Sequence, residues 1–136
     1  MSFLVDANII LDIVTEDPKW FDWSSSTLSR CAEEGKLWIN PIIYAEVSVG
    51  FSSIEELEDV LPQTIFHRAF LPWEAGFLAG KCFLRYRKTT GNKTTPLPDF
   101  YIGAHAAVSN LTLITRDRGR FNTYFPKLKI ICPNPH

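Results

Sequence analysis

Apolar residues along the chain fall into short continuous runs and into longer stretches spaced three and four apart. Phe3-Leu4-Val5 is such a run, too brief for a helix and followed at once by Asp6-Ala7-Asn8, so it reads as a buried strand. Ile9, Ile10, Ile13 and Val14 then share one helical face, up to Asp17-Pro18, where the proline disfavours helix in the residue before it. A second helix is expected from Trp20 to Glu34, closed by Gly35 as its C-terminal cap, with Leu37-Trp38-Ile39 as the next strand. Pro41 suits a first helical turn and opens a third helix, with Ile42, Ala45, Val49 and Glu46 along neighbouring faces. Ser52-Ser53 followed by Glu55-Glu56 predicts a capped helix ending near Pro62, and Ile65-Phe66 a short strand.

Trp73 to Arg87 places Trp73, Phe77, Leu78 and Leu84 near helical spacing. Thr89 to Pro98, rich in Thr, Gly, Asn and Pro, reads as a loop, and a last helix is expected from Asp99 to Ser109. Residues 111–115 and 128–132 read as the closing strands. Strands alternating with helices predict an α/β three-layer sandwich with a mostly parallel central sheet, and the length of 136 residues predicts one domain, 1–136.

This pattern gives two carboxylates, Asp6 and Asp117, a common sheet edge and singles out two more. Ligands of open parallel sheets bind outside the carboxyl ends of the strands. Asp6 directly follows the first strand and Asp117 comes two residues after the strand ending near Thr115. Asp99 begins a helix after Pro98, and Glu46 lies mid-helix among apolar neighbours. Each has a plainer alternative: Asp6 and Asp99 as helix caps, Glu46 as a solvated helix residue, Asp117 as part of a turn with Gly119. If the four converge, their repulsion needs an opposing charge. A hard divalent cation with oxygen ligands supplies it, and such a site suits phosphodiester hydrolysis.

Composition removes several competitors. Cys31, Cys82 and Cys132 are odd in number and far apart, which excludes a disulfide framework and a thiolate zinc site and leaves them as reduced packing residues. His67, His105 and His136 show no metal spacing, and His105 is expected to pack in the core. No run approaches the roughly 20 apolar residues of a membrane span, and the opening Met1-Ser2-Phe3-Leu4-Val5-Asp6 has no basic segment, so a cytoplasmic protein is expected. The net charge of -1 excludes a polycationic coat but not local patches. Two are present: Lys81, Arg85, Arg87, Lys88 and Lys93; and Arg116, Arg118 and Arg120. Charge runs of this kind are usually solvated faces.

Four segments, taken together, resemble the PIN-domain ribonucleases and, within them, the VapC toxins of bacterial and archaeal toxin–antitoxin pairs. They are Phe3-Leu4-Val5-Asp6-Ala7-Asn8-Ile9-Ile10-Leu11-Asp12; Ile43-Tyr44-Ala45-Glu46-Val47; Pro98-Asp99-Phe100-Tyr101-Ile102-Gly103-Ala104-His105-Ala106; and Leu113-Ile114-Thr115-Arg116-Asp117-Arg118-Gly119-Arg120-Phe121. The resemblance implies that Asp6, Glu46, Asp99 and Asp117 hold Mg2+ or Mn2+ (one ion or two), with Asn8 and Thr115 in support. It implies endonucleolytic cleavage of single-stranded or looped RNA by an activated water, without a covalent enzyme intermediate. Arg116 and Arg118, beside Asp117, and Arg85 and Lys88, on the approach to Asp99, then become candidate RNA contacts. The likeness also implies a small antitoxin whose tail lies near the site, and a homodimer. Trp20, Phe21, Trp23 and Phe51 are core residues or, on the rival reading, an exposed interaction surface. The stretch from Glu55 to Pro72 matches nothing characteristic of the family.

Two other classes compete. Position 8 is Asn where a haloacid-dehalogenase-type phosphatase needs an aspartate, a receiver domain's acidic pair and late lysine are missing, and no G-x-x-x-x-G-K-[ST] is present. A non-catalytic PIN-like module that binds RNA or protein remains the alternative, although all four acidic positions are filled.

Overall fold

The computed structural model describes residues 1–90 and 97–134. Five strands form one sheet: β1 (Ser2–Val5), β2 (Lys36–Ile39), β3 (Phe66–Arg68), β4 (Thr112–Ile114) and β5 (Ile130–Ile131). Between them run α1 (Ala7–Val14) and α2 (Phe21–Glu34), α3 (Pro41–Ser48) and α4 (Ile54–Val60), α5 (Trp73–Thr90) and α6 (Leu97–Val108), and the short α7 (Arg118–Asn122). The strand order is β3-β2-β1-β4-β5, and each neighbouring pair is parallel, so the sheet is wholly rather than mostly parallel among the described residues. Phe3, Leu4 and Val5 are all fully buried. Successive strand residues face opposite sides, so helices cover both faces, as the α/β expectation requires. From β1 the chain builds outward to β3, then returns to place β4 on the other side of β1. That reversal opens a crevice at the carboxyl ends of β1 and β4. None of the described helices is long and apolar enough to cross a membrane.

Several local expectations are refined. α1 ends at Val14, short of Pro18, and Glu16 takes a left-handed φ of 50°. Gly35 closes α2, but its φ of -178° is extended backbone rather than a left-handed cap. A side chain is barred there because a Cβ would collide with the Met1 carbonyl, which accepts the Lys36 N–H at 3.1 Å and so starts the β1–β2 ladder. In α3 the buried face is Ile43 and Val47, while Ala45 is exposed and Val49, at the C-cap just past the helix, is 86% exposed. Both sets fit a helical period, and only packing against the sheet selects one.

The same choice recurs in α5. Ala75, Ala79, Cys82 and Tyr86 turn inward, leaving Trp73 89% and Phe77 71% exposed. Small residues on the inner face let α6 approach, so a second cluster forms around Phe100, Ala104 and Phe125. Thr89 and Thr90 continue α5, and Leu97 and Pro98 already belong to α6, where a first-turn proline forfeits no intrahelical bond. The remainder of that expected loop, with Lys93, lies outside the described residues. The cysteines are free, with Cys31 and Cys82 buried. Trp23 and Phe51 pack against the main core, which is the plainer of the two readings for these aromatics.

Candidate functional site

Asp6 leaves β1 at the crevice and serves two partners. Its Oδ1 accepts the Ala7 N–H at 2.8 Å, capping α1, so the capping alternative holds for this atom. Its Oδ2 accepts the Thr115 hydroxyl at 2.7 Å and lies 3.4 Å from the Asn8 Nδ2 donor. The two supporting residues therefore both meet Asp6. Thr115 also accepts the Asp117 N–H at 3.2 Å, which ties the start of the Asp117 turn to the same point. Asp117 caps α7 through the Arg120 N–H at 3.2 Å.

Asp99 is not a cap. It is the third residue of α6, in the first turn, and only 6% exposed. Glu46 comes from α3, whose start is fixed by Asn40. The Asn40 Oδ1 accepts the Ile43 N–H at 2.9 Å, so the amide orientation is set and Nδ2 donates to His105 Nδ1 at 3.0 Å. Buried His105, whose pKa burial lowers, belongs to α6. Asn40 thus joins the helix carrying Glu46 to the helix carrying Asp99. Sequence reasoning missed this residue, although an Asn directly before Pro41 is a readable cap signal.

The carboxylates act on one another. Burial raises the Asp6 pKa above its ordinary 3.8, and Asp99 pushes it further up. Burial, then Asp6 and Asp99, raise Glu46 from 4.5 to about 7. Asp99 is raised by burial and also feels Asp117. The fold therefore brings all four into one electrostatic neighbourhood, and Glu46 is not a solvated helix residue. Arg120 opposes the repulsion: its Nη1 is 3.3 Å from Asp99 Oδ2 and its Nε 3.1 Å from Asp117 Oδ2.

The donor set is oxygen throughout, which suits Mg2+ or Mn2+. Asn8 Oδ1 adds a buried oxygen with no hydrogen-bond partner, in the same place. As the side chains stand, no three acidic, histidine or cysteine groups are drawn to coordinating range among the described residues, and Arg120 bridges two of the carboxylates instead. The chemistry of the donors fits a hard cation, and side-chain rotation would have to complete the coordination.

The basic candidates separate. Arg116 Nε lies 2.8 Å from Asp12 Oδ2 as an ion pair without hydrogen-bond alignment, that oxygen accepts the Ser24 hydroxyl, and the Arg116 guanidinium lies over Trp20. Asp12 is buried, so Arg116 is committed to anchoring the Asp117 turn on α1 and α2. Arg118 is exposed. Arg85 and Lys88 are exposed on α5, with Arg85 over the Tyr124 ring. Two recesses flank Asp117 and Gly119. One, of about 580 Å³, includes Lys19, Trp20, Arg116 and Arg118; the other, of about 500 Å³, includes Tyr86, Thr89, Arg120 and Tyr124. A third, at the amino ends of β1 and β4, holds no acidic residue.

The PIN domain family model matches residues 3–125. The chain belongs to the PIN-domain family. No curated protein matches the sequence. Similar solved structures are a chain of the VapBC2 complex of Rickettsia felis bound to a promoter DNA fragment (19% identity, 97% of this chain and 98% of that one, TM-score 0.75), and FitAcB of Neisseria gonorrhoeae (22%, 96% and 96%, 0.71). VapBC-1 of nontypeable Haemophilus influenzae is a third (20%, 97% and 98%, 0.71). At these identities the likeness is one of fold, and this PIN domain shares it over nearly its full length.

The raised Glu46 pKa has a thermodynamic consequence. Between 4.5 and about 7 the folded chain holds a proton on Glu46 that the unfolded chain has released. Folding through this group is therefore favoured below 4.5 and loses that advantage as pH rises to about 7. His105, lowered by burial, acts in the opposite direction near its ordinary 6.5, so a variant is needed to isolate Glu46. In EDTA, urea unfolding of wild type and Glu46→Gln should show wild type losing stability relative to the variant from pH 4.5 to 7. A pH-independent difference would mean that burial and the acidic neighbours do not raise the Glu46 carboxyl.

Proposed function

We propose that this PIN domain is an Mg2+- or Mn2+-dependent endoribonuclease, the toxin of a type II toxin–antitoxin pair. The observation that carries the proposal is the coupling of Asp6, Glu46, Asp99 and Asp117 at the carboxyl ends of β1 and β4. In this reading Asp6, Asp99 and Asp117 offer anionic oxygens, Asn8 an amide oxygen, and Glu46 a carboxyl that can take up or release a proton near neutrality. A bound divalent cation would supply an activated water and neutralise phosphate charge. Thr115 holds the Asp6 carboxylate in place, and Arg116 holds the Asp117 turn.

RNA would cross the Asp117 edge between the two recesses. Arg118, with Lys19 beside it, would meet phosphates on one side, and Arg85 and Lys88 on the other. The antitoxin partner is supported by the likeness in fold to chains of the VapBC and FitAcB structures. The exposed apolar side chains Phe70, Trp73 and Phe77 give a docking surface for that partner or for a second copy.

Purified protein should cleave RNA in Mg2+ or Mn2+ and stop when EDTA is added. Sequencing RNA ends after brief expression would name the target. Cleavage that persists in EDTA would refute the metal centre. Tight RNA binding without cleavage in either metal would favour the non-catalytic module.

A further inference from the structure

Arg120 reaches from α7 into the carboxylate cluster. Its Nη1 is 3.3 Å from Asp99 Oδ2, its Nε 3.1 Å from Asp117 Oδ2, and its backbone N–H donates to Asp117 Oδ1. The same guanidinium lowers the proton affinity of Asp6, Glu46 and Asp99, so its charge acts on three of the four acids. Yet its side chain is 41% exposed, and it borders the recess of about 500 Å³ beside Tyr86 and Tyr124.

We propose that Arg120 is a built-in counter-cation that contends with the divalent metal for Asp99 Oδ2 and Asp117 Oδ2, and leaves the cluster as the metal enters. This rests on the metal-centre reading above. Magnesium needs its oxygens at about 2.0–2.1 Å in near-octahedral geometry, so it draws carboxylates inward and fixes their lone pairs. A guanidinium forked across two of those oxygens holds them in another geometry. It also sets like charges a few ångströms apart in a half-buried crevice, where screening is weak. The adjoining recess gives the side chain somewhere to go. Its exposure makes that movement cheap, because no packed core must open. Arg120 is thus a positioning residue: it offsets the repulsion between the acids and holds Asp99 and Asp117 across its fork until the metal takes over.

The test is Mn2+ titration, by calorimetry at pH 8, of EDTA-stripped wild type, Arg120→Gln and Arg118→Gln. Arg118→Gln removes the same formal charge from an exposed neighbour with no ion pair to the cluster among the described residues. Arg120→Gln should bind Mn2+ on the order of tenfold tighter, and Arg118→Gln within about twofold of wild type. In EDTA, Arg120→Gln should melt below wild type, and the gap should close at saturating Mn2+. Arg120→Lys keeps the charge but loses the fork, and should tighten binding by a smaller factor. It carries the comparison if the Gln variant does not fold. Equal or weaker Mn2+ affinity after losing Arg120 overturns the proposal and leaves the metal centre standing. No Mn2+ binding by any of the four proteins overturns both.

Discussion

Asp6→Asn and Asp99→Asn should each lower RNA cleavage by more than the 10–100-fold typical of outer partners of a metal site, on the order of a thousandfold, with the fold intact. The two parts of that expectation have separate causes. Cleavage falls because an amide carries no charge to hold a hard cation. The fold survives because asparagine is about as good an N-cap as aspartate, so Oδ1 can still accept the Ala7 N–H. Burial already disfavours the charged form of Asp6 and Asp99, so neutral replacements relieve repulsion in the absence of metal. Cleavage assays run beside thermal melts in EDTA separate the roles. Variants that melt early yet cleave within a few-fold of wild type would make these residues structural.

Gly103→Ala should destabilise the chain by about 1–2 kcal/mol, against the helix propensity of the two residues. In an exposed helix the change would stabilise by up to about 1 kcal/mol, because glycine pays more backbone entropy. At position 103 the added Cβ would stand 2.5 and 2.7 Å from Phe125 Cε2 and Cδ2, and 3.1 Å from Phe121 Cδ1. Both rings are buried, and α6 is held from its other side by the Asn40–His105 bond. Overpacking a filled core costs about 1–3 kcal/mol, which outweighs the propensity gain. Asp99 lies one helical turn before Gly103, so a displaced α6 would also shift the acid, and cleavage should fall with stability. Urea midpoints decide the sign. A variant more stable than wild type would show that the rings yield without cost.

The candidate site was legible to the extent that it sits at element ends. Asp6 and Asp117 could be placed from strand boundaries alone, since a strand-then-acid pattern in a parallel sheet points to the carboxyl edge. The exposed apolar surface was harder to place. Trp20, Phe21 and Trp23 form the densest aromatic run, yet Trp20 is half-buried beneath Lys19 and Arg116 and Trp23 packs on the core. Among the described residues the exposed aromatics are Phe70, Trp73 and Phe77, two of which carry a helical period that reads as a core face. Arg116, grouped by sequence with Arg118 and Arg120, is an anchor because Asp12, 104 positions earlier, is buried against it.

The order of strands and helices (the short α7 apart) and the parallel α/β class were written in local pattern, because periodicity and caps act over a few residues, whereas the set of four acids was singled out by its resemblance to the PIN-domain family. Three matters required the folded chain: which of two helical faces in α3 and α5 turns inward, the Asn40 link between the Glu46 and Asp99 helices, and the guanidinium of Arg120 across Asp99 and Asp117. Each depends on contacts between segments far apart in sequence. Both faces satisfy the helical period equally, and a carboxylate's proton affinity is set by whichever neighbours tertiary packing brings within a few ångströms.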